Sequence, residues 1–419
     1  MKIKTSICVV FCLLSFLCNG QSKGNLVIAG GGLNPTNKEA YGRLVALAGG
    51  PEKAVFAIIP TAGGWVNESY TFMRDVLGTY GVKPENVHLI PISELDDETT
   101  PDIDESTWAG NANDEKLAAL VRSCTGIWFS GGDQMRVTRT HYRADGSRTP
   151  VLQAIWDVYE KGGVIGGTSA GAALMSDVMI GNGTSLGALQ MKIIYDNGPD
   201  NEDTDALLIS RGMGFFPEGI IDQHFTARAR LGRLIIALMH SDEKYNMAFG
   251  VDENTALIYS AADRTIQVAG TGGITIIDAS RASMEMKDNL PVISNLSISY
   301  LEQGDIFLAA TKTIIPEEGK KATVGHESTN RKNLFLGGIL SPSSGSFQDI
   351  ITYNLIDNAG SESISNLSFT GDGAGFLLTF SKKPESQGYY LDKDEEDHYT
   401  VSDIRLDITP VKVTITKPE

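Results

Sequence analysis

Short apolar segments alternate with helical patterns from about residue 24 to residue 278, and this alternation limits the possible folds more than any other feature. Buried strands are predicted at residues 26–29, 55–59, 126–129 and 164–165, with helical segments between them. Such alternation is typical of a mostly parallel sheet with helices on both faces. Ligands of these sheets bind beyond the carboxyl ends of the strands. The predicted fold class is therefore α/β.

The pattern changes in the C-terminal quarter of the chain. From about residue 316 the chain is polar, and it then alternates in strand fashion over residues 364–380 and 401–415. We interpret residues 316–419 as a small all-β C-terminal domain. It follows a larger α/β domain over residues 21–315.

Residues 1–20 have the features of a secretory signal peptide. Two lysines near the start precede an eleven-residue apolar run that is too short to span a bilayer. Cleavage before Gln21 predicts an exported protein, periplasmic or extracellular. A lipid anchor on Cys18 is less favoured, because Phe16 and Leu17 are bulkier than the small residues usual before a lipidated cysteine. The sequence predicts no membrane-spanning segment.

The charge balance excludes one class of function. The chain carries 52 acidic and 35 basic side chains, a formal net charge of −17, whereas a nucleic-acid-binding protein shows a basic surface. Neither a metal-ligand spacing nor a complete cofactor loop stands out, so no metal and no cofactor are expected. The glycines at residues 30–32 match a dinucleotide loop only in part, because Pro35 replaces its third glycine. We expect them to form a turn near the floor of a site.

The most informative segment is residues 166–171, which contain the pattern Gly-x-Ser-x-Gly between a predicted strand and a helix of small residues. A nucleophilic serine must sit on a tight turn that projects its hydroxyl from the sheet, and flanking glycines remove Cβ clashes there. The following helix directs its positive end toward a developing oxyanion. Ser169 is therefore the predicted nucleophile. The alternative is a tightly packed turn without chemistry.

His224 is the predicted general base, because among the six histidines it has the most polar and charged surroundings. It ends the sequence Asp-Gln-His after an apolar strand, and Arg228, Arg230 and Arg233 follow. Three guanidinium groups are costly to gather without an anion, and arginine is suited to bidentate recognition of carboxylates. The segment therefore predicts a pocket for an acidic substrate. A solvated helix face is the alternative.

Glu253 is the favoured third member of a catalytic triad, and Asp252 is the alternate. The third member should be a carboxylate that orients the imidazole and stabilises its charged form. Both residues lie at the start of a predicted strand, where alternation leaves only one of them facing the site. The order serine, histidine, acid differs from the serine, acid, histidine order of α/β-hydrolases, which disfavours an esterase of that fold.

An oxyanion hole needs two backbone N–H groups near the nucleophile. One is expected from Ala170, directly after Ser169. The second is expected from the segment Gly-Gly-Asp-Gln at residues 131–134, where glycine allows the backbone to approach a substrate closely.

At these residues the sequence resembles the cyanophycinases, a branch of the peptidase E-like serine peptidases. The resemblance covers about residues 24–315 and rests on residues 131–134, 166–171, 222–225 with the three arginines, and 252–256. It implies a fold like that of class I glutamine amidotransferases. It also implies a role for each matched residue: Ser169 as nucleophile, His224 as general base and then acid, Glu253 as its support, Gly132 and Ala170 as the oxyanion hole, and Gln134, Gln223, Arg228, Arg230 and Arg233 as substrate-binding residues.

The resemblance implies an activity as well. The expected substrate is cyanophycin, a polyaspartate backbone with arginine on its side chains, cleaved through an acyl-enzyme to β-aspartyl-arginine dipeptides. Two other functions stay open: an exopeptidase or isoaspartyl peptidase for short acidic peptides, and a non-catalytic binding protein of the same fold. The oligomeric state is also open, with a homodimer among the options.

Overall fold

The computed structural model describes residues 24–414 and 416, apart from residues 196–203, 242–243, 333–334, 337–346, 372 and 394–395. At residues 335, 336 and 396 it describes the backbone alone. The predicted signal peptide, residues 1–20, lies outside the described residues. No helix in the described ranges combines the length and the apolar character needed to cross a membrane.

Strands make up most of the regular structure in the described chain. In chain order they are β1 Asn25–Ala29, β2 Phe56–Ile59, β3 Val87–Leu89, β4 Gly126–Phe129, β5 Val164–Thr168, β6 Val178–Asn182, β7 Ile193–Tyr195, β8 Leu207–Arg211, β9 Ile220–Asp222, β10 Met247–Val251, β11 Thr255–Ser260, β12 Thr265–Gly270, β13 Ile274–Asp278, β14 Ser283–Lys287, β15 Leu290–Leu301, β16 Ile306–Leu308, β17 Thr313–Ile315, β18 Lys321–Ala322, β19 Phe335–Leu336, β20 Ser363–Phe369, β21 Ala374–Ser381, β22 Gln387–Lys393 and β23 Glu396–Lys412.

The helices lie mainly in the first two thirds of the chain. They are α1 Lys38–Leu47, α2 Val66–Thr79, α3 Glu115–Ser123, α4 Gln134–His141, α5 Pro150–Glu160, α6 Ala170–Ala173, α7 Ser185–Leu189, α8 Leu231–Met239 and α9 Phe347–Ile351, with 3₁₀ segments at Pro84–Asn86 and Glu105–Asn113 and a π-helical turn at Thr352–Ile356. Side chains cap several of these helices; for example, Asn37 accepts a hydrogen bond from the N–H of Ala40.

The first sheet confirms the predicted α/β class. Its order is β3-β2-β4-β5-β1-β11-β12-β16-β17. The strands from β3 to β1 run parallel and are joined by helices, whereas β11 to β17 are antiparallel. The connections from β11 to β12 and from β16 to β17 are short and allow only hairpin pairing. The carboxyl ends of β5 and β1 lie side by side, which places the segments after them at one edge.

The second sheet joins the two parts of the chain. The strands β9, β10, β13 and β15 continue directly into β23, β21 and β20 of the C-terminal region. Ile298 of β15 pairs with Ile404 of β23, and both are fully buried. The predicted strand-rich C-terminal region is therefore present, packed on the rest through a shared sheet. It also contains α9, because buried Ile350 and Ile351 give that segment an apolar helical face.

Candidate active site

Ser169 occupies a strained turn between β5 and α6. Its backbone has φ 55° and ψ −111°, in the region that non-glycine residues rarely adopt. Gly171 packs so closely that a Cβ there would lie 2.4 Å from the carbonyl oxygen of Phe129. Strain at a single polar residue, held by close packing on either side, is typical of a nucleophile turn.

The structure brings the predicted serine, histidine and glutamate together. The Oγ of Ser169 lies 2.9 Å from Nε2 of His224, and Nδ1 of the same ring lies 2.5 Å from Oε1 of Glu253. With a neutral imidazole, Nδ1–H donates to the carboxylate, and Nε2 accepts from the serine hydroxyl. This is the arrangement in which a histidine can remove the proton of a nucleophilic serine.

His224 is held in place by the glycine loop after β1. The N–H of His224 donates to the carbonyl of Gly30 at 2.6 Å. Gly31 has φ +109°, and a Cβ at this position would lie 2.3 Å from Nε2 of the imidazole. Only glycine fits at residue 31, because a Cβ would overlap the ring. The loop of residues 30–32, predicted to form a turn near the floor of the site, packs against the imidazole.

The surroundings of His224 lower the pKa of its imidazole. Burial is the main cause, since the residue is 7% exposed. The positive charges of Arg228 and Arg230 act in the same direction, while the hydrogen bond to Glu253 raises the pKa. At neutral pH the ring is therefore neutral and able to accept a proton.

The alternate acid, Asp252, points away from the imidazole. Its carboxylate accepts hydrogen bonds from the N–H of Thr226 at 3.0 Å and of Gly273 at 3.2 Å. The two residues lie in the turn between β10 and β11 and not at the start of a strand as expected, and in this turn the carboxylate of Glu253 reaches His224. Burial raises the pKa of Asp252, whereas Glu253 keeps a half-exposed side chain.

The two expected oxyanion donors flank the serine. Ala170 begins α6 directly after Ser169. The Gly131–Gly132 backbone approaches from the end of β4, where a Cβ on Gly131 would lie 3.3 Å from Cβ of Ser169. The N–H of Asp133 donates to the carbonyl of Ala62 at 2.8 Å and fixes this loop. The roles of Gly132 and Ala170 remain predictions.

A cavity of about 340 Å³ opens in front of Ser169. All five predicted substrate-binding residues line it: Gln134, Gln223, Arg228, Arg230 and Arg233. The side-chain amide of Gln134 donates to the carbonyls of Ile180 at 2.7 Å and Gly181 at 2.9 Å. The Oε1 of Gln223 is buried and accepts no hydrogen bond from the described residues.

The three arginines differ in how far the protein already neutralises them. Arg233 is buried and forms a bidentate pair with Asp222 at 2.8 and 2.6 Å. Arg230 donates to the carbonyl of Gln223 at 2.6 Å, and its Nη1 lies 3.6 Å from Oδ1 of Asp222. Burial lowers the pKa of Arg230 to about 10. Arg228 is exposed.

Sequence reasoning overlooked the role of Asp222. Its place before Gln223 and His224 suggested part of a site, but only the fold shows that its carboxylate is the partner of Arg233. Arg139 is a further cavity residue that no sequence pattern singled out, and it forms an ion pair with Glu94 at 2.7 Å. Among the described residues, no group of three or more His, Cys, Asp or Glu side chains is placed to hold a metal ion.

Comparison with known proteins places these features in a family. Residues 26–267 match the description "Peptidase family S51". A cyanophycinase from Synechococcus elongatus is 31% identical over 273 residues, which cover 64% of this chain and 73% of that protein. A cyanophycinase from Geminocystis herdmanii is 30% identical over 290 residues, covering 67% of this chain and 91% of that protein.

A solved structure of a peptidase from an acI-B1 Actinobacterium aligns with a TM-score of 0.47 and 19% identity, over 69% of this chain and 98% of that chain. The family match spans Ser169, His224 and Glu253. The chain is a serine-type, cyanophycinase-like hydrolase, and it belongs to peptidase family S51.

Proposed function

We propose that this protein cleaves the polyaspartate backbone of cyanophycin and releases β-aspartyl-arginine dipeptides. The observation that carries the proposal is the hydrogen-bonded series Ser169–His224–Glu253 at the mouth of a cavity lined by arginines. The cyanophycinases among its relatives, about 30% identical, support this choice of substrate.

The first half of the reaction forms an acyl-enzyme. The Oγ of Ser169 attacks the scissile carbonyl carbon while its proton passes to Nε2 of His224. The carboxylate of Glu253 stabilises the imidazolium. Backbone N–H groups of Gly132 and Ala170 stabilise the oxyanion. When the tetrahedral intermediate collapses, the C–N bond breaks, and the amine leaves with the proton from His224.

The second half returns the enzyme to its starting state. A water molecule gives one proton to Nε2 of His224 and attacks the acyl carbon. The ester bond to Ser169 then breaks, and Oγ regains its proton from the imidazolium. The overall change is the addition of one water molecule across one amide bond, with no other reactant.

The cavity provides groups that suit this substrate. Each arginine branch of cyanophycin retains a free carboxylate, which Arg228 and Arg230 attract. Arg233 contributes less free charge because Asp222 already neutralises it. Gln223 also lines the cavity, and its amide suits hydrogen bonds to the peptide groups of the substrate.

Mass analysis of the products tests the substrate directly. Purified protein is incubated with cyanophycin and, separately, with short β-aspartyl and α-aspartyl peptides. The proposal expects a species with the mass of aspartyl-arginine to accumulate from cyanophycin. Release from the short peptides alone indicates an exopeptidase or isoaspartyl peptidase. Tight binding without any product indicates a binding protein.

We also propose that the protein is exported. Support comes from the charged start and the apolar run within residues 1–20. N-terminal sequencing of protein recovered from outside the cytoplasm should begin at Gln21. Recovery of the intact N-terminus from the cytoplasm alone contradicts export.

A further inference from the structure

The C-terminal extension, residues 316–419, reaches the back of the active site. Gln348 lies in α9 of the extension, and its side-chain amide donates a hydrogen bond to Oδ2 of Asp252. Asp252 directly precedes Glu253, whose carboxylate contacts the imidazole of His224. The extension therefore contributes a polar group that contacts the residue next to Glu253. The extension lies outside the part of the chain that matches the peptidase family.

Asp252 connects three separate segments around the triad. Its Oδ1 accepts from the N–H of Thr226, two residues after His224, and its Oδ2 accepts from the N–H of Gly273. Asp252 is joined by its peptide bond to Glu253, the residue that contacts the imidazole. The residue is 5% exposed. A carboxylate removed from water in this way depends on its hydrogen-bond donors, and these are two backbone N–H groups and the amide of Gln348.

Apolar packing supports the same contact. Phe225, which follows His224, belongs to one buried cluster with Ile350 of α9 and Phe380 of β21. The cluster places α9 and the segment that carries the imidazole in one apolar core. Gln348 therefore meets Asp252 at a defined position.

We propose that Gln348 is a positioning residue of the peptidase, acting through Asp252 to keep Glu253 and His224 in line with Ser169. The inference rests on the triad assignment of the proposed function. It means that the extension contributes to the geometry of the catalytic triad. Without the amide, the buried carboxylate loses one of these donors, and the turn that carries Glu253 shifts to recover a partner.

The test uses substitutions of similar size in the full-length protein. Gln348→Met keeps the length of the side chain but removes the donor, and Gln348→Glu replaces the donor with a second carboxylate facing Asp252. Because an error of about 1 Å in catalytic geometry costs up to about 100-fold, we expect kcat to fall roughly tenfold or more in both variants, with KM changed less than threefold. Gln387→Met is the matched control, an exposed glutamine of the same extension.

Three further measurements separate positioning from a loss of folding. Thermal unfolding confirms that each variant is folded at the assay temperature. The rate of Ser169 labelling by a fluorophosphonate should fall in parallel with kcat, because the probe reports the reactivity of the nucleophile without cyanophycin. A double-mutant cycle of Gln348→Met with Asp252→Asn should give effects that are less than additive.

The outcomes distinguish this inference from the function on which it rests. Loss of turnover in Ser169→Ala, together with kcat within twofold of the parent in either folded Gln348 variant, overturns the positioning role alone. Full turnover in Ser169→Ala overturns the triad assignment, and the inference with it. Equal losses in Gln348→Met and Gln387→Met also overturn the positioning role.

Discussion

At the scale of single residues, the charge around His224 sets the pH at which the enzyme works. Burial and two nearby guanidinium groups lower the pKa of this imidazole. The base must be neutral to act, so the acid limb of the kcat/KM profile should lie below the ordinary histidine value of 6.5.

Arg228→Ala tests this electrostatic account. Removing a positive charge stabilises the imidazolium, so the pKa of His224 rises and the acid limb of kcat/KM moves to higher pH. A pH series on the parent and the variant measures the shift. Arg281→Ala, which removes an exposed arginine remote from the cavity, should leave the limb in place. A limb that stays fixed or moves downward in Arg228→Ala contradicts the account.

Some residues of the site could be predicted from the sequence, whereas the contacts between them could not. Gly-x-Ser-x-Gly and the sequence Asp-Gln-His are local patterns whose chemistry can be read directly, so Ser169 and His224 could be proposed without a structure. The choice between Asp252 and Glu253 depended on which side chain faces inward. The pairing of Asp222 with Arg233 depends on tertiary geometry across 11 positions, which no local pattern encodes.

At the scale of secondary-structure elements, a glycine in the loop after β1 and a glycine in α2 should respond oppositely to substitution by alanine. Gly31→Ala places a Cβ against the imidazole of His224 at a positive φ, so we expect lower kcat and lower stability. Gly78 lies in α2, exposed, with no atom near its added Cβ. Gly78→Ala should stabilise the protein by about 0.5–1 kcal/mol without changing kcat.

Thermal unfolding and steady-state kinetics on the two variants check this pair. The prediction fails if Gly31→Ala retains the kcat of the parent, because the imidazole would then not rest on that glycine. Gly78→Ala is the matched control, because its added Cβ contacts no other atom and the variant should be more stable than the parent.

The strands of the first sheet were predicted most accurately. The expected strand at residues 126–129 matches β4, and the one at 26–29 differs from β1 by one residue. These strands are buried on both faces and therefore read as continuous apolar runs. By contrast, β6, β7 and β8 form a small separate sheet that was not predicted, because short half-buried strands carry a weak pattern.

At the scale of the whole molecule, a buried ion pair links the C-terminal extension, residues 316–419, to the α/β region that precedes it. Nζ of Lys320 lies 3.0 Å from both carboxylate oxygens of Asp305, and both side chains are 0% exposed. The same ammonium group also donates to the carbonyl of Tyr399 and to Oγ1 of Thr400. Composition suggested a boundary near residue 316, but strand pairing across it depends on long-range contacts that the sequence does not display.

Lys320→Met should therefore destabilise the protein by about 3–5 kcal/mol, because it leaves the carboxylate of Asp305 buried without its cation. Chemical unfolding measures the change. The double variant Lys320→Met with Asp305→Asn should recover part of the loss, since it removes the unpaired charge. A single variant as stable as the parent would show that this pair does not fasten the extension.

Turnover of cyanophycin by Ser169→Ala tests most directly whether Ser169 performs the hydrolysis. The variant should fold like the parent and lose about 10⁴-fold or more in kcat. Ser147→Ala, an exposed serine elsewhere, should retain full activity. Turnover by folded Ser169→Ala within tenfold of the parent would contradict the account.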